Sequence, residues 1–447
     1  MKRLSSLLLF LIGTFSVTQI RVVGSIGISE LPIFILAPFI FVIDYRILRY
    51  DGFLPVIWLA LLACVGCCVS SFCNQTSFPF FLRGFASPYS IFAISVVLHR
   101  ILRKNLGGLK WFFLGICLSW VINTFFFHSA TEEIIAESEG GGTRGIMASS
   151  IFLISRLNGF LMAPIAGWYL QTPLLYSVFT PILWSIYCLF STASGRSAAL
   201  GTLGTLAIVL IGQKRRSQME RLRKHFVPFL FFAIALGLAF KGFYQVAATN
   251  GWLGEQAQTK YEQQSKGGGG VLALLMGGRS EAFVGLFACL DRPFVGHGPW
   301  ALDTSDYYVN YLAKYGQPED YDYYVRTMQY YRRIGAGSRM RLIPAHSHIV
   351  VFWLWYGILG LPFWLYVLKL IYDWCRNCPS AIPQWYGYFA VSIPSFLWGI
   401  FFSPFGARIQ TVTIIVCLLM ARAVQRGRIQ LPMEMIREIE KMERRNG

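Results

Sequence analysis

Charged residues are scarce in this chain. Asp, Glu, Lys and Arg make up only 14% of its 447 residues, whereas they make up about 25% of ordinary soluble domains. Apolar residues reach 55%, and the mean hydropathy is +0.50. This balance excludes an ordinary soluble protein and predicts an integral membrane protein.

Metal ligands in a recognisable pattern are also scarce. Outside the apolar runs the ten cysteines include one CxxC pair, Cys375 and Cys378, without the second pair that a zinc site of this kind needs. Most other cysteines fall within apolar runs, where Cys acts as a small hydrophobic residue. One loop has several acidic residues, which loop solubility explains as well as a divalent ion does. They are Asp303, Asp306, Glu319, Asp320 and Asp322. We therefore expect no metal and no cofactor.

Positive charge is plentiful, because 40 basic residues stand against 22 acidic ones. The excess is dispersed over several loops and forms no single face, so we expect no nucleic-acid partner. Basic residues crowd every second connection between apolar runs, as they do in cytoplasmic loops of membrane proteins. Such residues include Lys2, Arg3, Arg46, Arg49, Arg100, Arg103, Lys104, Lys110, Arg215, Arg422 and Arg426. This alternation predicts that both termini are cytoplasmic.

Long apolar runs predict about twelve transmembrane helices, each near the roughly 20 residues that a bilayer requires. They cover Ser5–Ile20, Ile26–Ile43, Phe53–Ser71, Ala86–Leu102, Trp111–Phe127, Ile151–Leu170, Leu174–Phe190, Ala198–Ile211, Phe226–Phe243, His346–Ile371, Tyr386–Phe402 and Gln410–Ala423. The first run lacks a small-x-small cleavage site before Arg21. We therefore expect it to be a retained anchor and not a removed signal peptide.

Four regions follow from this pattern. Residues 1–243 contain nine spans, 244–344 form a long extracytoplasmic loop, 345–424 contain three spans and 425–447 form a basic tail. Loops of such length are uncommon without a role of their own. The predicted fold is an all-α polytopic membrane protein whose large loop contains short helices.

Tyrosines crowd the second half of the long loop. Tyrosine combines a flat apolar face with a hydroxyl group, which suits the CH faces and OH edges of sugar rings. The alternative is that these tyrosines pack the loop's short helices onto the membrane surface, as interfacial Tyr commonly does. Both interpretations stay open, and the candidates for sugar binding are Tyr307, Tyr308 and Tyr324.

Two histidines stand where the polar loop meets a long apolar run. His346 and His348 flank Ser347, and the apolar run begins at Ile349. Histidine titrates near neutral pH, so one held at a membrane surface can accept a proton from a substrate whose apolar end stays in lipid. The alternatives are a helix cap or a core histidine, and a core position is the stronger expectation for His348 and His297.

Three arginines on the predicted outer side lie beside glycine or small residues. They are Arg156, Arg196 and Arg279. The guanidinium group matches phosphate oxygens with two parallel hydrogen bonds, so these residues are candidates for binding a diphosphate. The alternative for each is an arginine whose charge reaches the membrane interface while its stem stays in lipid.

The histidine segment resembles the O-antigen ligase motif. His346-Ser347, nine residues, and then Gly357, Gly360 and Leu361 match its pattern of His, a small polar residue, nine residues, Gly, two residues, Gly and a large residue. The order and spacing agree throughout.

Three further segments are similar to the same family. Arg279 precedes residues 293–298, Pro-Phe-Val-Gly-His-Gly, as an arginine precedes a Pro-x-x-Gly-x-Gly turn in that family. Residues 194–197, Ser-Gly-Arg-Ser, resemble its Ser-Arg-Ser/Gly stretch with Gly195 inserted. Residues 156–164 resemble its Arg-x-x-Gly-x-Phe-x-x-Pro-Asn segment, except that the phenylalanine stands one position early, at Phe160, and that Ile165 replaces the asparagine.

The resemblance to the O-antigen ligase and polysaccharide polymerase superfamily implies a metal-independent, inverting glycosyltransferase of the bacterial inner membrane. Its donor would be a glycan on undecaprenyl diphosphate and its active site would face the periplasm. His346 would be the catalytic base, with Arg196 and Arg279 on the diphosphate and Arg156 and His348 as further substrate contacts. A chain-length regulator would be a further partner.

Two acceptors fit that implication. A polymerase transfers to a second lipid-linked glycan, and a ligase transfers to a lipid A core sugar. The near-neutral, tyrosine-rich loop favours the polymerase slightly. The alternative from another class is a transporter of lipid-linked glycans, which would place polar residues at the midplane of several spans. Most of the predicted spans have none.

Overall fold

The computed structural model describes residues 2–126, 280–315, 342–377 and 385–437, apart from positions 17, 22–24, 404 and 407, together with isolated residues between 242 and 252 and at 382 and 440. The elements in chain order are α1 (Lys2–Thr14), β1 (Gln19–Arg21), β2 (Ser25–Gly27), α2 (Glu30–Asp51), α3 (Leu54–Cys73), α4 (Phe78–Lys104), α5 (Leu109–Phe126), α6 (Ser280–Asp291), α7 (Tyr307–Tyr315), α8 (His348–Tyr356), α9 (Leu361–Asn377), α10 (Tyr386–Phe402) and α11 (Arg408–Gln425). Short 3-10 turns occupy Leu106–Gly108 and Gly357–Gly360.

Five helical segments of the described chain are long and apolar enough to cross a membrane. They are Glu30–Asp51, Leu54–Cys73, Phe78–Lys104, His348–Cys375 and Arg408–Gln425. This agrees with the predicted class of helical membrane protein. The four predicted spans between residues 151 and 243 lie outside the described residues apart from position 242, so the total of twelve stays a prediction.

The first predicted span is wrong at its end. The expected helix Ser5–Ile20 stops at Thr14, and the chain then forms an antiparallel hairpin in which Gln19 pairs with Gly27. The hairpin is tied back to the helix, because the amide of Ser29 donates to the carbonyl of Phe15 over 3.4 Å. Ladder hydrogen bonds satisfy the backbone here. The expected all-α fold therefore contains a small two-stranded sheet in the part of the chain that the structure describes.

Helix α1 packs closely against α5. A Cβ atom added at Gly13 would overlap the carbonyl of Phe112, and one added at Gly115 would lie 2.8 Å from the amide of Thr14. Two glycines therefore let the backbones approach, as small residues do in membrane helix pairs. With 13 residues α1 is about 20 Å long, which is less than the roughly 30 Å of a hydrocarbon core.

The predicted span His346–Ile371 is interrupted. Helix α8 ends at Tyr356, the 3-10 turn Gly357–Gly360 follows, and α9 then continues to Asn377. The predicted span Tyr386–Phe402, by contrast, coincides with α10. Helix α4 lies at the centre, in contact with α2, α3 and α11.

The helices alternate in direction and so give the bundle two polar ends. At one end Lys2 Nζ lies 3.2 Å from a carboxylate oxygen of Glu434, so residues near the two ends of the described chain meet there. We call this the basic end. At the other end, which we call the histidine end, the hydroxyl of Ser347 donates to the carbonyl of Ile400 over 2.8 Å.

Candidate functional site

Two of the segments that carry the family resemblance are joined at the histidine end. The turn 293–298 follows α6 and lies against the end of α8. The indole N–H of Trp353 donates to the carbonyl of Pro293 over 2.8 Å, and the amide of His297 donates to the carbonyl of Leu354 over 2.7 Å. The amide of Ile358 donates to the carbonyl of Phe294 over 3.1 Å. These bonds set the position of α6 relative to α8.

Glycine is required on both sides of this contact. Gly296 has a φ of +73° and Gly357 a φ of +63°, in the left-handed region that other residues rarely adopt. A Cβ atom at Gly296 would lie 2.5 Å from the carbonyl oxygen of Leu354, and one at Gly357 would overlap the carbonyl of Phe294. The glycines of the two segments thus allow the two backbones to touch.

Asn74, the residue after α3, anchors the same turn to the bundle. Its side-chain amide donates to the carbonyl of Gly296 over 3.2 Å, while its Oδ1 accepts from Arg292 over 3.0 Å. Arg292 therefore has a structural contact. Asn74 was not among the predicted site residues, and the only signal for it was a polar residue between two apolar runs.

His297 is held inside the turn. Its Nε2 lies 2.8 Å from the carbonyl oxygen of Ala288, and since a carbonyl only accepts, Nε2 carries the proton. Burial lowers the pKa of His297, and this outweighs the opposing effect of that hydrogen bond. His297 is thus a neutral structural histidine, in line with the core position expected for it.

His346 lies opposite Glu281 at the histidine end. Its Nδ1 is 3.5 Å from Oε2 of Glu281, and the two side chains are 43% and 34% exposed. Glu281 stands in the first turn of α6, two residues after Arg279 in sequence. The pair is thus close enough to interact and open enough to be reached by a substrate. Glu281 was not predicted as a partner of His346.

Ser347 determines where α8 begins. Its hydroxyl accepts from the amide of Val350 over 3.2 Å, a typical helix N-cap, and donates to the carbonyl of Ile400 over 2.8 Å. Both hydrogen-bonding functions of the hydroxyl are therefore used. The cap leaves His346 just outside the helix, where its side chain is free of the helical packing that buries His348.

His348 lies in the aromatic core. It is 5% exposed, and its ring centroid is 4.8 Å from that of Trp364 and 5.3 Å from that of Phe405. Gly399 makes room for the ring, since a Cβ atom there would lie 3.1 Å from its Cε1. This placement favours the core alternative for His348 over a direct substrate contact.

Tyr307 and Tyr308 begin α7, and Asp303 holds both backbones. Its two carboxylate oxygens accept from the amides of Tyr307 and Tyr308 over 2.8 and 3.0 Å. The Tyr307 hydroxyl donates to Asp291, and its ring meets that of His297 edge to face at 5.6 Å. Burial, followed by the hydrogen bond to Asp291, raises the pKa of Tyr307 to about 12. These contacts describe packing, and sugar binding by either tyrosine stays a prediction.

Four predicted site residues lie outside the described residues, namely Arg156, Arg196, Arg279 and Tyr324. Among the described residues, no group of three or more His, Cys, Asp and Glu side chains is arranged to hold a metal ion. Comparison with known proteins found no match to a family model, to a curated protein or to a solved structure. The membership of the O-antigen ligase superfamily stays a prediction.

Proposed function

We propose that this protein transfers a glycan from a lipid diphosphate to a sugar hydroxyl, with His346 as the general base. The observation that supports the proposal is the pair of His346 and Glu281, partly exposed where α6 contacts the apolar helix α8. The other described ion pair at this end, between Arg408 and Glu30, is closed: it is largely buried and makes two direct contacts of 3.0 and 3.1 Å.

His346 is suited to act as a base because its imidazole ring has two nitrogens, and only one of them faces Glu281. With Nδ1 directed at the carboxylate of Glu281, the proton of the neutral ring is favoured on Nδ1. Nε2 then keeps its lone pair for the acceptor hydroxyl. As that hydroxyl loses its proton to Nε2, its oxygen bonds to the anomeric carbon, and the bond from that carbon to the lipid diphosphate breaks. Glu281 stabilises the imidazolium that forms, as a carboxylate does behind a catalytic histidine.

The leaving diphosphate needs positive charge where its own negative charge develops. In the proposal Arg196 and Arg279 supply it, so the reaction requires no metal. In-line displacement inverts the anomeric carbon. The lipid tail would lie among the apolar helices of a bacterial inner membrane, with the histidine end in the periplasm and the basic end in the cytoplasm. A lipid-linked glycan is the favoured acceptor, which makes the protein a polysaccharide polymerase.

The test is glycan transfer by the purified full-length protein in vesicles, with a lipid-diphosphate glycan as donor and the product measured by mass. His346→Ala should lower turnover about 10²- to 10⁴-fold, the usual range for a general base. His348→Ala is the matched histidine control and should keep more turnover. Retention of over about a tenth of wild-type turnover by His346→Ala would contradict the base role. A glycan that crosses the bilayer still attached to its lipid would favour a transporter.

The arginine roles are tested in the same vesicles with excess EDTA. Wild type should stay active, while Arg196→Lys and Arg279→Lys should be strongly impaired, because an ammonium group keeps the charge but loses the planar two-point contact. Activity that disappears with EDTA and returns with Mg²⁺ would exclude the metal-free scheme and direct attention to the acidic residues after Leu302.

The orientation can be measured separately. Cysteines placed at the exposed positions Thr304 and Arg426 lie at opposite ends of the bundle. An impermeant thiol reagent applied outside should label position 304 in intact cells and position 426 only after lysis. The reverse pattern would place His346 in the cytoplasm and exclude a periplasmic reaction.

A further inference from the structure

The basic end contains a groove of about 880 Å³ between α1, α5 and the segment that follows α11. Four of its lining residues are basic, namely Lys2, Arg3, Lys104 and Lys110. The acidic lining residue is Glu434, which is paired with Lys2 and almost fully exposed. An exposed ion pair of this kind contributes little, so the groove attracts anions.

Two other basic residues at this end are paired with acids. Arg100 is paired with Asp44 at 3.0 Å, and Arg103 with Asp51 at 2.7 Å. Within the described ranges, by contrast, no carboxylate forms an ion pair with Lys104 or Lys110. Lys104 and Lys110 in the groove therefore keep positive charges that no described acid neutralises.

Directly beside the basic residues the groove has an apolar wall. Leu7, Trp111 and Leu114 line it with exposures of 52%, 40% and 51%. The ammonium of Lys110 lies 5.8 Å from the centre of the Trp111 ring, a cation–π contact at the boundary between the charged and the apolar part. Trp and Lys together at such a boundary are typical of the membrane interface.

The two halves of the groove match the two halves of one ligand class. A phosphate monoanion or a nucleotide would be held by the lysines but would leave the leucine wall uncovered. A phosphodiester headgroup with acyl chains satisfies both parts, since the chains cover apolar side chains that have no other described partner. We infer that this groove is a binding site for an anionic phospholipid. The bound lipid would contact α1, α5 and residues 432–435 together.

The experiment uses the full-length protein in detergent, with bound lipids counted by native mass spectrometry while phosphatidylglycerol or phosphatidylcholine is added. Wild type should bind phosphatidylglycerol at least tenfold more tightly than phosphatidylcholine. The double variant Lys104→Gln/Lys110→Gln should lose that preference. The matched control is Arg46→Gln/Arg49→Gln, which removes the same charge from two exposed residues of α2 outside the groove and should keep the preference.

A second variant separates binding from folding. Lys104→Arg/Lys110→Arg keeps both charges and should bind phosphatidylglycerol like wild type. If this variant lost the lipid preference as fully as the glutamine variant, the proposal would be overturned. Equal loss of the preference in the α2 control would also overturn it, because that would indicate general surface attraction. So would binding of inorganic phosphate as tight as that of phosphatidylglycerol, because that would indicate a site for a soluble anion. The measurement requires no glycan transfer, so it stands or fails independently of the proposed reaction.

Discussion

The two ends of the bundle use charge differently. At the basic end one oxygen of Asp51 lies 2.8 Å from Nε2 of His99 and 2.7 Å from Nε of Arg103, and the Asp51 and His99 side chains are 0% and 1% exposed. At the histidine end His346 and Glu281 stand 3.5 Å apart, with both side chains more than a third exposed. The first arrangement is closed, and the second leaves room for another molecule.

The difference is one of role and not of location. Glu30 and Arg408 also lie at the histidine end, yet they form a two-point ion pair with exposures of 5% and 12%. Closed pairs at both ends connect helices that are distant in sequence, α2 to α4 and α2 to α11. A group that must exchange a proton with a substrate cannot be closed in this way. The open pair is therefore where we expect chemistry.

The largest effect on stability is expected at the basic end. Asp51→Asn removes the charge that His99 and Arg103 share inside the protein, and loss of one partner from a buried ion pair costs about 3–5 kcal/mol. Thermal unfolding of the purified protein measures this. Glu434→Gln, which breaks the exposed pair with Lys2, is the control and should change stability by less than about 1 kcal/mol. Equal losses of stability in the two variants would show that the ion pairs of Asp51 stabilise the fold no more than an exposed pair does.

The contact between the turn 293–298 and α8 should come next. Gly357→Ala combines a positive φ with overlap of the Phe294 carbonyl, so a loss of about 2–4 kcal/mol is expected. Gly427→Ala is the matched control at the basic end, because Gly427 has a similar φ of +66° but no atom within 4 Å of an added Cβ. It should cost only about 1 kcal/mol. Equal melting temperatures would mean that the close approach is unimportant.

Glu281→Gln tests whether the pair of Glu281 and His346 at the histidine end contributes to turnover. The amide keeps the size of the side chain and loses its charge, so turnover should fall roughly tenfold, which is about 1.4 kcal/mol, while stability changes little. The loss should be absent when His346 is already replaced by alanine, a dependence that a purely structural role would not cause. If turnover matches wild type, or if the loss persists in the His346→Ala background, Glu281 does not act through His346.

The smallest effect is expected from Tyr307→Phe. It removes one partly exposed hydrogen bond to Asp291 and should cost about 1 kcal/mol of stability. If the ring serves packing, turnover at saturating acceptor stays near that of wild type and KM is unchanged. A rise in KM for the acceptor glycan would instead support the sugar-binding interpretation, and Tyr308→Phe provides the comparison within the same helix turn.

Hydrophobic patterning located several of the described helices. It located α3 within two residues at its C-terminal end and α10 at both ends, because a bilayer requires uninterrupted apolar length. It failed at α1, since the hairpin after Thr14 depends on strand pairing and not on hydropathy. It also failed at Gly357, where an apolar run conceals a backbone conformation that only its contact with Phe294 reveals.

The candidate site shows the same division. His346 could be identified because its motif is local in sequence. Glu281 and Asn74 could not be assigned their partners, because each belongs to a segment far from the one it contacts, and no local pattern connects them. Residues of the site that act through tertiary contacts are found only once the helices have been placed.

The close contact between α1 and α5 has a consequence for biosynthesis. Gly13 is made about a hundred residues before Gly115, and ribosomes add about 5–20 residues per second. The first helix therefore waits for about 5–20 seconds before its partner exists. During that interval the short, leucine-rich α1 has neither Gly115 nor Phe112 beside it, so the membrane insertion machinery or lipid must shield it until α5 arrives.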